Sequence, residues 1–397
     1  MSTPQYLLTI VMASHNRSNY AMAAIRSVLA ISDPHLQLVV HDSSDGRELQ
    51  EFSGAISDSR LLYRHAGQRV SMTENHNLAM NLAEGKYVCL IGDDDSVSHE
   101  IMEFVRWADR NHIEAVTPRV LFTYSWPDFA TRLFGTSHAG KLYMAAYSAH
   151  KQMLDSREAL ATSLAGACQG TDNLPKLYHG IALRKIFTDA KRDAGDYLFG
   201  VSPDVSAAIT IAHYARGFLS IDYPLTIPGA SGNSNTGRSA LNRHKGNLED
   251  DPHIKPYRDL VWPPLIPHFF SVETVWAQAA LATLAAHKMD DEIHQFGFIK
   301  LYALCLSKHW EYRNKTIKSF NALLTQRKLN RISGWLQLGI AVAGVWMVRI
   351  NYLVKRLFRP TASAGKDVVA DLADIEAATR AVRDRLNHIK SVTSTDL

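Results

Sequence analysis

The stretch KYVCLIGDDDSV, residues 86–97, decides the fold of this chain. Residues 87–91 form a short apolar run bounded by glycines, which is typical of a buried strand in a parallel sheet. Asp93, Asp94 and Asp95 follow where that strand ends, and their mutual repulsion requires a compensating partner. A divalent cation is one such partner, because Mg²⁺ and Mn²⁺ prefer hard oxygen ligands. The alternative is a solvated acidic turn that precedes a helix.

Apolar runs and helical patterns alternate along the first 125 residues. Strands are predicted at residues 7–13, 36–40, 61–63, 87–91 and 114–124. Helices are predicted from residue 18 or 19, and at 48–56, 72–83 and 101–111. This alternation predicts a doubly wound α/β domain that begins at residue 1.

A second carboxylate, Asp42, follows the second predicted strand. Because the carboxyl ends of parallel strands share one edge of a sheet, Asp42 and the three later aspartates are expected at the same rim. Neither GxGxxG nor GxxxxGK[ST] follows the first strand, which disfavours a dinucleotide-binding fold and a P-loop. The pattern favours a site for a nucleotide together with a metal ion.

Four segments resemble glycosyltransferase family 2, whose members have the GT-A fold. They are LTIVMASHNR (8–17), VVHDSSDG (39–46), ENHNLAMNLAEGKYVCLIGDDDSV (74–97) and SPDVSAAITI (202–211). The similarity covers residues 6–125 and extends to about residue 235. It implies a Rossmann-like, doubly wound mixed sheet in a catalytic domain over residues 1–240.

The resemblance also implies roles for individual residues in binding a nucleotide-sugar. Asp42 would contact the nucleobase edge, and His15 lies where an aromatic side chain packs on the base. Asn16 and Arg17 follow in the same loop, and Asp93 would lie near the ribose.

By the same resemblance, Asp94 would be the main metal ligand and Asp95 would assist, with Mn²⁺ or Mg²⁺ as the cofactor. Asn77 would be a hydrogen-bonding residue near the nucleotide pocket. The chain departs from the family pattern at His41, where a second acid is common, and at Gly92, where a DxDD form has its first aspartate.

Asp204 is the predicted catalytic base. Pro203 and Asp204 begin a helix that runs to His213, and proline in the first turn is a standard helix start. The resemblance places the base at this helix start. The alternatives are an ordinary N-terminal acid favoured by the helix dipole, and Asp196 as the base.

Residues 228–238 form a loop rich in glycine, serine and asparagine. Such a loop is flexible enough to close over a bound diphosphate, with Arg238 as the anion's partner. An ordinary surface loop is the alternative. His244 beyond it is either a metal ligand or a histidine unrelated to the site.

The 397 residues carry a net charge of only +4, but the charge is unevenly distributed. Residues 308–359 contain eleven Lys or Arg against one acid, whereas the body is mildly acidic. Three isolated cysteines and a short polar N-terminus without a secretory signal predict a cytoplasmic protein with reduced thiols. The basic arm predicts an anionic surface as its partner.

A helical region is predicted over residues 241–330, followed by an apolar, basic helix over 331–360. Residues 332–348 carry no charge, and basic residues flank both ends of the run. Trp335 and Trp346 suit a membrane interface. We expect this helix to lie in the cytoplasmic leaflet of the membrane. A helix buried on the catalytic domain and a single membrane span are the alternatives.

An amphipathic C-terminal helix is predicted over residues 366–390. Its seam repeats every three or four residues at Val368, Leu372, Ile375, Thr379, Val382, Leu386 and Ile389. The seam predicts pairing with another helix, either its copy in a homo-oligomer or a helix of the same chain.

These patterns together predict a metal-dependent, inverting glycosyltransferase. It would move a sugar from a nucleotide-diphosphate donor to a hydroxyl of a glycan or lipid-linked acceptor, at the inner face of the cell membrane. A nucleotidyltransferase and a non-catalytic nucleotide- or sugar-binding module remain alternatives. Nucleic acid is not an expected partner, because the uncharged run offers nothing to phosphates.

Overall fold

The computed structural model describes residues 5–357 and 366–386. The strands are β1 Leu8–Ser14, β2 Leu36–Asp42, β3 Leu61–His65, β4 Tyr87–Ile91, β5 Ser96–Val97, β6 Ala115–Pro118, β7 Phe122–Ser125, β8 Lys141–Met144, β9 Lys151–Asp155, β10 Ile181–Leu183, β11 Gly217–Ile221, β12 Thr226–Ile227, β13 Gly229–Ala230, β14 Lys245–Gly246, β15 Phe270–Ser271 and β16 Asp367–Val369.

The helices alternate with the strands in the first half of the chain and follow one another in the second. They are α1 Ser18–Leu29, α2 Glu48–Gly54, α3 Met72–Met80, α4 Ile101–Arg110, α5 Ser156–Ala165, α6 Arg184–Ala194, α7 Pro203–Tyr214, α8 Asn235–Ala240, α9 Val272–Ala286, α10 Asp290–Gln295, α11 Phe298–Lys308, α12 Arg313–Gln326, α13 Arg331–Leu357 and α14 Ile375–Arg385. A 3₁₀ turn at Trp310–Tyr312 precedes α12.

A mixed sheet with the strand order β3-β2-β1-β4-β10-β6-β11-β9 organises the N-terminal part of the chain. Strands β1 to β4 run parallel, whereas β10 is antiparallel to both of its neighbours. The predicted doubly wound mixed sheet is therefore confirmed.

Both faces of the central strands β1 and β4 are buried, which explains why these strands are mostly apolar, whereas the edge strands β3 and β9 are partly exposed. In β1, Ile10 and Met12 face a layer formed by α1, α4 and α14, whereas Val11 faces the layer of α3, α6 and α7. Helix α7 is shared, because Ile211 packs on the sheet and Ile209 packs into a second, purely helical core.

Two predicted elements are each split in the structure. The strand predicted over residues 114–124 divides into β6 and β7, because Pro118 has no amide hydrogen to continue the ladder. The region predicted to be helical over 241–330 has its long helices only from Val272, and it is interrupted between α10 and α11 at Gly297, whose amide donates to Leu164 O. A Cβ at Gly297 would lie 2.3 Å from Ala165 O, so only glycine fits there.

The predicted C-terminal helix over residues 366–390 was too long. Asp367–Val369 is a strand that pairs antiparallel with β8, and the helix spans only Ile375–Arg385. Ile375 and Val382 are buried in the main core beside α1, so these seam residues dock on their own chain. Predicted positions 358–360 and 387–390 lie outside the described residues.

Glu273, in the first turn of α9, is a buried carboxylate that joins this helix to the end of α11. His309 Nε2 and Lys308 Nζ each lie 2.8 Å from one of its oxygens. Burial alone would raise the pKa of Glu273, but these two partners outweigh it and lower the pKa to about 2.

Glu273→Gln should lower the free energy of unfolding at pH 7 by about 3 kcal/mol, measured by urea denaturation. Because the pKa of Glu273 is depressed in the fold, its contribution is present above the ordinary pKa of 4.5 and lost as the pH falls towards 2. The difference between wild type and variant should therefore narrow over that range. Glu249→Gln, at an exposed carboxylate, is the control; an equal loss there would contradict the prediction.

Candidate active site

The candidate site lies at the carboxyl edge of the main sheet, where β1, β2 and β4 end together. Ser14 at the end of β1 is in register with Asp42 at the end of β2. Ser14 Oγ also donates a hydrogen bond of 2.7 Å to Asp93 Oδ2, beyond the end of β4. Ligands of open α/β sheets bind at this edge.

Arg17 bridges the first two aspartates of the DDD turn. Its Nε lies 2.8 Å from Asp93 Oδ1, and its Nη2 lies 2.7 Å from Asp94 Oδ2. Nη2 also donates to Ser231 Oγ at 2.8 Å, and the guanidinium lies 5.0 Å from the centre of the Tyr20 ring. The charge on Arg17 is thus held between two carboxylates in a nearly closed pocket.

The Asp93–Asp94 pair carries more negative charge than Arg17 alone compensates. Burial raises the pKa of Asp93 to about 7, with Arg17 opposing the rise and Asp94 adding to it. Burial likewise raises the pKa of Asp94. Burial would lower the pKa of Arg17, but the two aspartates outweigh it and raise that pKa. The pair is therefore ready to accept further positive charge.

Asp95 has a different environment, in which backbone amides and a histidine hold it. The amides of Gly92 and Gly229 each donate to it at 2.6 Å, and His179 Nε2 lies 3.2 Å from Oδ2. Tyr178 donates a longer bond of 3.4 Å. Burial would raise the pKa of Asp95, but His179 and the amides outweigh it and lower the pKa.

The loop predicted to close over a diphosphate lies directly against the aspartates. Gly229 approaches so closely that a Cβ there would lie 1.8 Å from Asp94 O. Ser231 Oγ donates to Asp94 Oδ2 at 2.6 Å, and Trp126 Nε1 donates to Asp94 O at 3.0 Å. At the far end of the loop, Arg238, which was expected to pair with the diphosphate, instead pairs with Asp251, with Nη2 2.6 Å from Oδ2.

Asp42 is fully buried. Its Oδ1 accepts hydrogen bonds from the amide and hydroxyl of Ser44, and its Oδ2 accepts one of 2.9 Å from Tyr63. The neighbouring His41 contacts Asn75 instead, through Nδ1 at 2.5 Å from Oδ1.

His15 and Asn16 hold the loop that follows β2. His15 Nδ1 donates to Ser43 O at 2.8 Å. The Asn16 side chain exchanges two hydrogen bonds with Asp45, one to its carboxylate and one from its amide. Asn16 has φ +55°, a conformation that asparagine tolerates better than most residues. Both side chains thus hold this loop at the rim where the nucleotide was expected.

Asn77 positions the segment before α7. Its Nδ2 donates to Leu198 O, and its Oδ1 accepts from the amide of Leu198. Its hydrogen bonds are thus made to the backbone of a neighbouring segment, and a place near the nucleotide stays a prediction.

Asp204 lies half-buried at the start of α7, where it accepts a hydrogen bond from Ser202. Its charge acts on His76 of α3 and on His253, and burial lowers the pKa of both histidines. The residue before His76, Asn75, donates to Ser14 O at 3.0 Å. Helix α3 therefore links the surroundings of Asp204 to the rim. The alternative base, Asp196, caps the amide of Tyr197.

Several contacts of the site were not predicted from the sequence. Ser14, Tyr178, His179 and Ser231 all bind the DDD turn. Ser14 had a signal, because it directly follows an apolar strand. Ser231 also had one, because it lies in the loop of residues 228–238 that was expected over the site, whereas Tyr178 and His179 come from a distant segment and carry no recognisable pattern. His244 packs on Phe270 with its pKa lowered to about 4 by burial and by Arg238, so it belongs to the Arg238 cluster.

The site fits a cation at Asp93 and Asp94 rather than at Asp95. The guanidinium of Arg17 already stands between the first two carboxylates and shows that positive charge is accommodated there. The oxygens of Asp95 are directed to amides and His179 instead. Over residues 5–357 and 366–386, no three His, Cys, Asp or Glu side chains converge as a metal-ligand group.

A mixed sheet with carboxylates at the ends of its second and fourth strands is the arrangement expected of the GT-A class of glycosyltransferase fold. Residues 9–152 match the family described as Glycosyl transferase family 2. The chain is therefore similar to glycosyltransferase family 2 over this region.

Two curated relatives share part of this region. WcaA, a candidate colanic acid biosynthesis glycosyl transferase of Escherichia coli (strain K12), is 33% identical over 91 residues, 22% of this chain and 33% of WcaA. WfaP of Escherichia coli, a UDP-Glc:alpha-D-GlcNAc-diphosphoundecaprenol beta-1,3-glucosyltransferase, is 22% identical over 120 residues, 30% of this chain and 45% of WfaP. The chain thus spans less than half the length of these relatives.

Among solved structures, S. aureus TarS 1–349 in complex with UDP-GlcNAc is similar over 82% of this chain and 93% of its own, with 13% identity. Its TM-score of 0.43 is too low to support an argument about function.

Asp95→Asn should lower the free energy of unfolding by about 2 kcal/mol at pH 7.5, since the fold stabilises the ionised form of Asp95. Asp93→Asn should cost no more than about 1 kcal/mol, because burial already disfavours the ionised form of Asp93. Urea denaturation of both variants tests this. If Asp93→Asn lowered the free energy of unfolding by more than Asp95→Asn does, the assignment of the two aspartate environments would be wrong.

Proposed function

We propose that the protein is a glycosyltransferase that moves a sugar from a nucleotide-diphosphate donor to a hydroxyl acceptor. One observation carries the proposal. Asp93, Asp94 and Arg17 meet at the carboxyl edge of the sheet, with the loop of Ser231 against them. That arrangement brings two carboxylates and a guanidinium together at the edge where ligands of open α/β sheets bind, and these groups suit a divalent cation and a diphosphate.

In the proposed reaction, the acceptor oxygen attacks the anomeric carbon of the donor sugar. Asp204 takes the hydroxyl proton, and the bond from the anomeric carbon to the diphosphate oxygen breaks. The nucleoside diphosphate leaves with the bonding electron pair. Attack opposite the leaving group inverts the anomeric configuration, and the Ser202 hydroxyl, which donates to Asp204, helps to orient its carboxylate.

A bound Mn²⁺ or Mg²⁺ held by Asp93 and Asp94 would offset charge on the leaving diphosphate. Arg17 would bind the same anion bidentately. Asp42, His15 and Asn16 line the rim on the nucleobase side, where they order the loop after β2.

Asp204→Asn should lower kcat by about 10²- to 10⁴-fold and leave donor affinity unchanged, because it removes only the proton acceptor. Thermal shift with UDP-, GDP-, TDP- and CMP-linked sugars, with and without Mn²⁺, identifies the donor to be used. Asp196→Asn is the matched control. Full turnover by Asp204→Asn would exclude it as the base, and no shift with any donor would count against the transferase.

We further propose that the acceptor is a lipid-linked surface glycan and that α13 binds the inner face of the cell membrane. The relative WfaP is named for transfer to a diphosphoundecaprenol glycan. Residues 331–351 form a helix long and apolar enough to cross a membrane by length and composition, and only 17% of its most apolar window is buried.

The packing of α13 favours a surface position over a span. Leu338 and Val345 pack on the helical body, whereas Leu336 and Ile340 are each 65% exposed and Met347 is 70% exposed. One side of the helix is therefore committed to protein and the other is apolar and open. Basic residues at both ends would meet anionic headgroups, as an interfacial helix requires.

Replacing Leu336, Ile340 and Met347 together by Gln should reduce binding to phosphatidylcholine–phosphatidylglycerol vesicles by about tenfold or more, measured by flotation. Leu133→Gln, at an apolar residue exposed elsewhere, is the control. Substitution is preferable to truncation at residue 330, because truncation also removes the buried Ile375 and Val382. The membrane proposal would be contradicted if the triple variant floated with the vesicles as the wild type does. It would also be contradicted if the wild type were a dimer and the triple variant a monomer.

A further inference from the structure

Arg17 occupies the position that a divalent cation would take between Asp93 and Asp94. Its Nε and Nη2 lie 2.8 Å and 2.7 Å from oxygens of different carboxylates. A metal ion held by the same two oxygens would stand within contact distance of the guanidinium. Two cations so close together in a buried site repel each other strongly.

We propose that Arg17 is a tethered counter-ion that competes with the divalent cation for the Asp93–Asp94 pair. The inference rests on the proposed function in taking a divalent cation as the incoming ligand. In the arrangement that the structure shows, the charge of Arg17 neutralises one of the two carboxylates. Binding of the metal ion then requires the Arg17 side chain to leave.

The contacts of the Arg17 side chain are few enough for it to leave the space between the two aspartates when a metal ion binds there. Besides the two aspartates, the contacts of its side chain among the described residues are with Ser231 Oγ and the face of Tyr20. Its Nε, although close to Asp93, lacks the alignment of a hydrogen bond. Tyr20 is itself fixed by a 2.5 Å hydrogen bond to Asp128. The groups that face Arg17 are thus acids, a hydroxyl and aromatic rings.

The backbone position of Arg17 keeps the displaced charge at the rim. Arg17 directly precedes α1, and Asn16 before it is anchored to Asp45 by two hydrogen bonds. The side chain therefore swings about a fixed point. Once it is displaced by a metal ion, the guanidinium remains within reach of the diphosphate that the metal ion would bind, and it pairs well with phosphate oxygens.

The arrangement also links the loop of residues 228–231 to cation binding. Ser231 contacts both Arg17 and Asp94, so departure of the guanidinium removes one of the two side-chain partners of Ser231. The adjacent Gly229 stays bound to Asp95, which is not part of the exchange. The Asp95 contacts therefore keep the loop in place while the Asp93–Asp94 site changes occupant.

Mn²⁺ binding to the full-length protein without nucleotide, measured by the EPR signal of free Mn²⁺ at pH 7.5, tests the competition. Arg17→Met removes the charge and should bind Mn²⁺ at least about tenfold more tightly than wild type, because no competitor must be displaced. Arg17→Lys keeps the charge and should stay close to wild type. Arg119→Met, at an exposed single ion pair, is the control and should not change.

Equal or weaker Mn²⁺ binding by Arg17→Met would overturn the proposal. If that variant does not fold, arginine Nε–H NMR of the wild-type protein gives the second measurement. Mg²⁺ should then move the Arg17 resonance, assigned with Arg17→Lys, and an unmoved resonance would overturn the proposal. Neither measurement uses turnover. A gain in Mn²⁺ affinity without transfer from any donor would therefore support the competition while refuting the proposed function.

Discussion

Compensation of three buried carboxylates in one turn is the constraint on which the rest of the site depends. Repulsion between Asp93, Asp94 and Asp95 is too large to leave uncompensated in a buried turn. The fold divides the task between two kinds of partner. Arg17 and two hydroxyls hold the first pair, whereas backbone amides and His179 hold Asp95. Each partner comes from a different segment: Arg17 precedes α1, His179 precedes β10, and Ser231 lies in the loop after β12. Compensation of the three carboxylates therefore brings these segments together at one rim.

The different partners give the three adjacent aspartates two different roles, although the residues are identical in sequence. Asp95 is an anion that orders the loop of residues 228–231, and its oxygens are already used. Asp93 and Asp94 share Arg17 as their cationic partner, and burial together with their mutual repulsion raises the pKa of Asp93. Exchange of cations is physically reasonable at the second kind of site only. Helix α3 then connects this rim to Asp204 through Asn75 and His76.

The C-terminal part of the chain returns to the catalytic domain after leaving it. Helix α13 packs on the helical body through one side and exposes apolar residues on the other, and β16 and α14 then add to the catalytic domain itself. The arm is therefore anchored to the domain at both ends of its described length. Such an arrangement holds an exposed apolar face in a fixed orientation relative to the rest of the body.

The sequence alone determined the α/β order, the acidic rim and the apolar character of α13, because strand periodicity, strand-end polarity and the lack of charge are local properties. It also placed Asp204 at a helix start, through the Pro203 signal. Only the tertiary structure decided which aspartate pairs with Arg17, that Arg238 pairs with Asp251, and that the C-terminal seam packs on its own chain. Those outcomes depend on segments tens to hundreds of residues apart, and no local pattern records which buried charge will meet which partner.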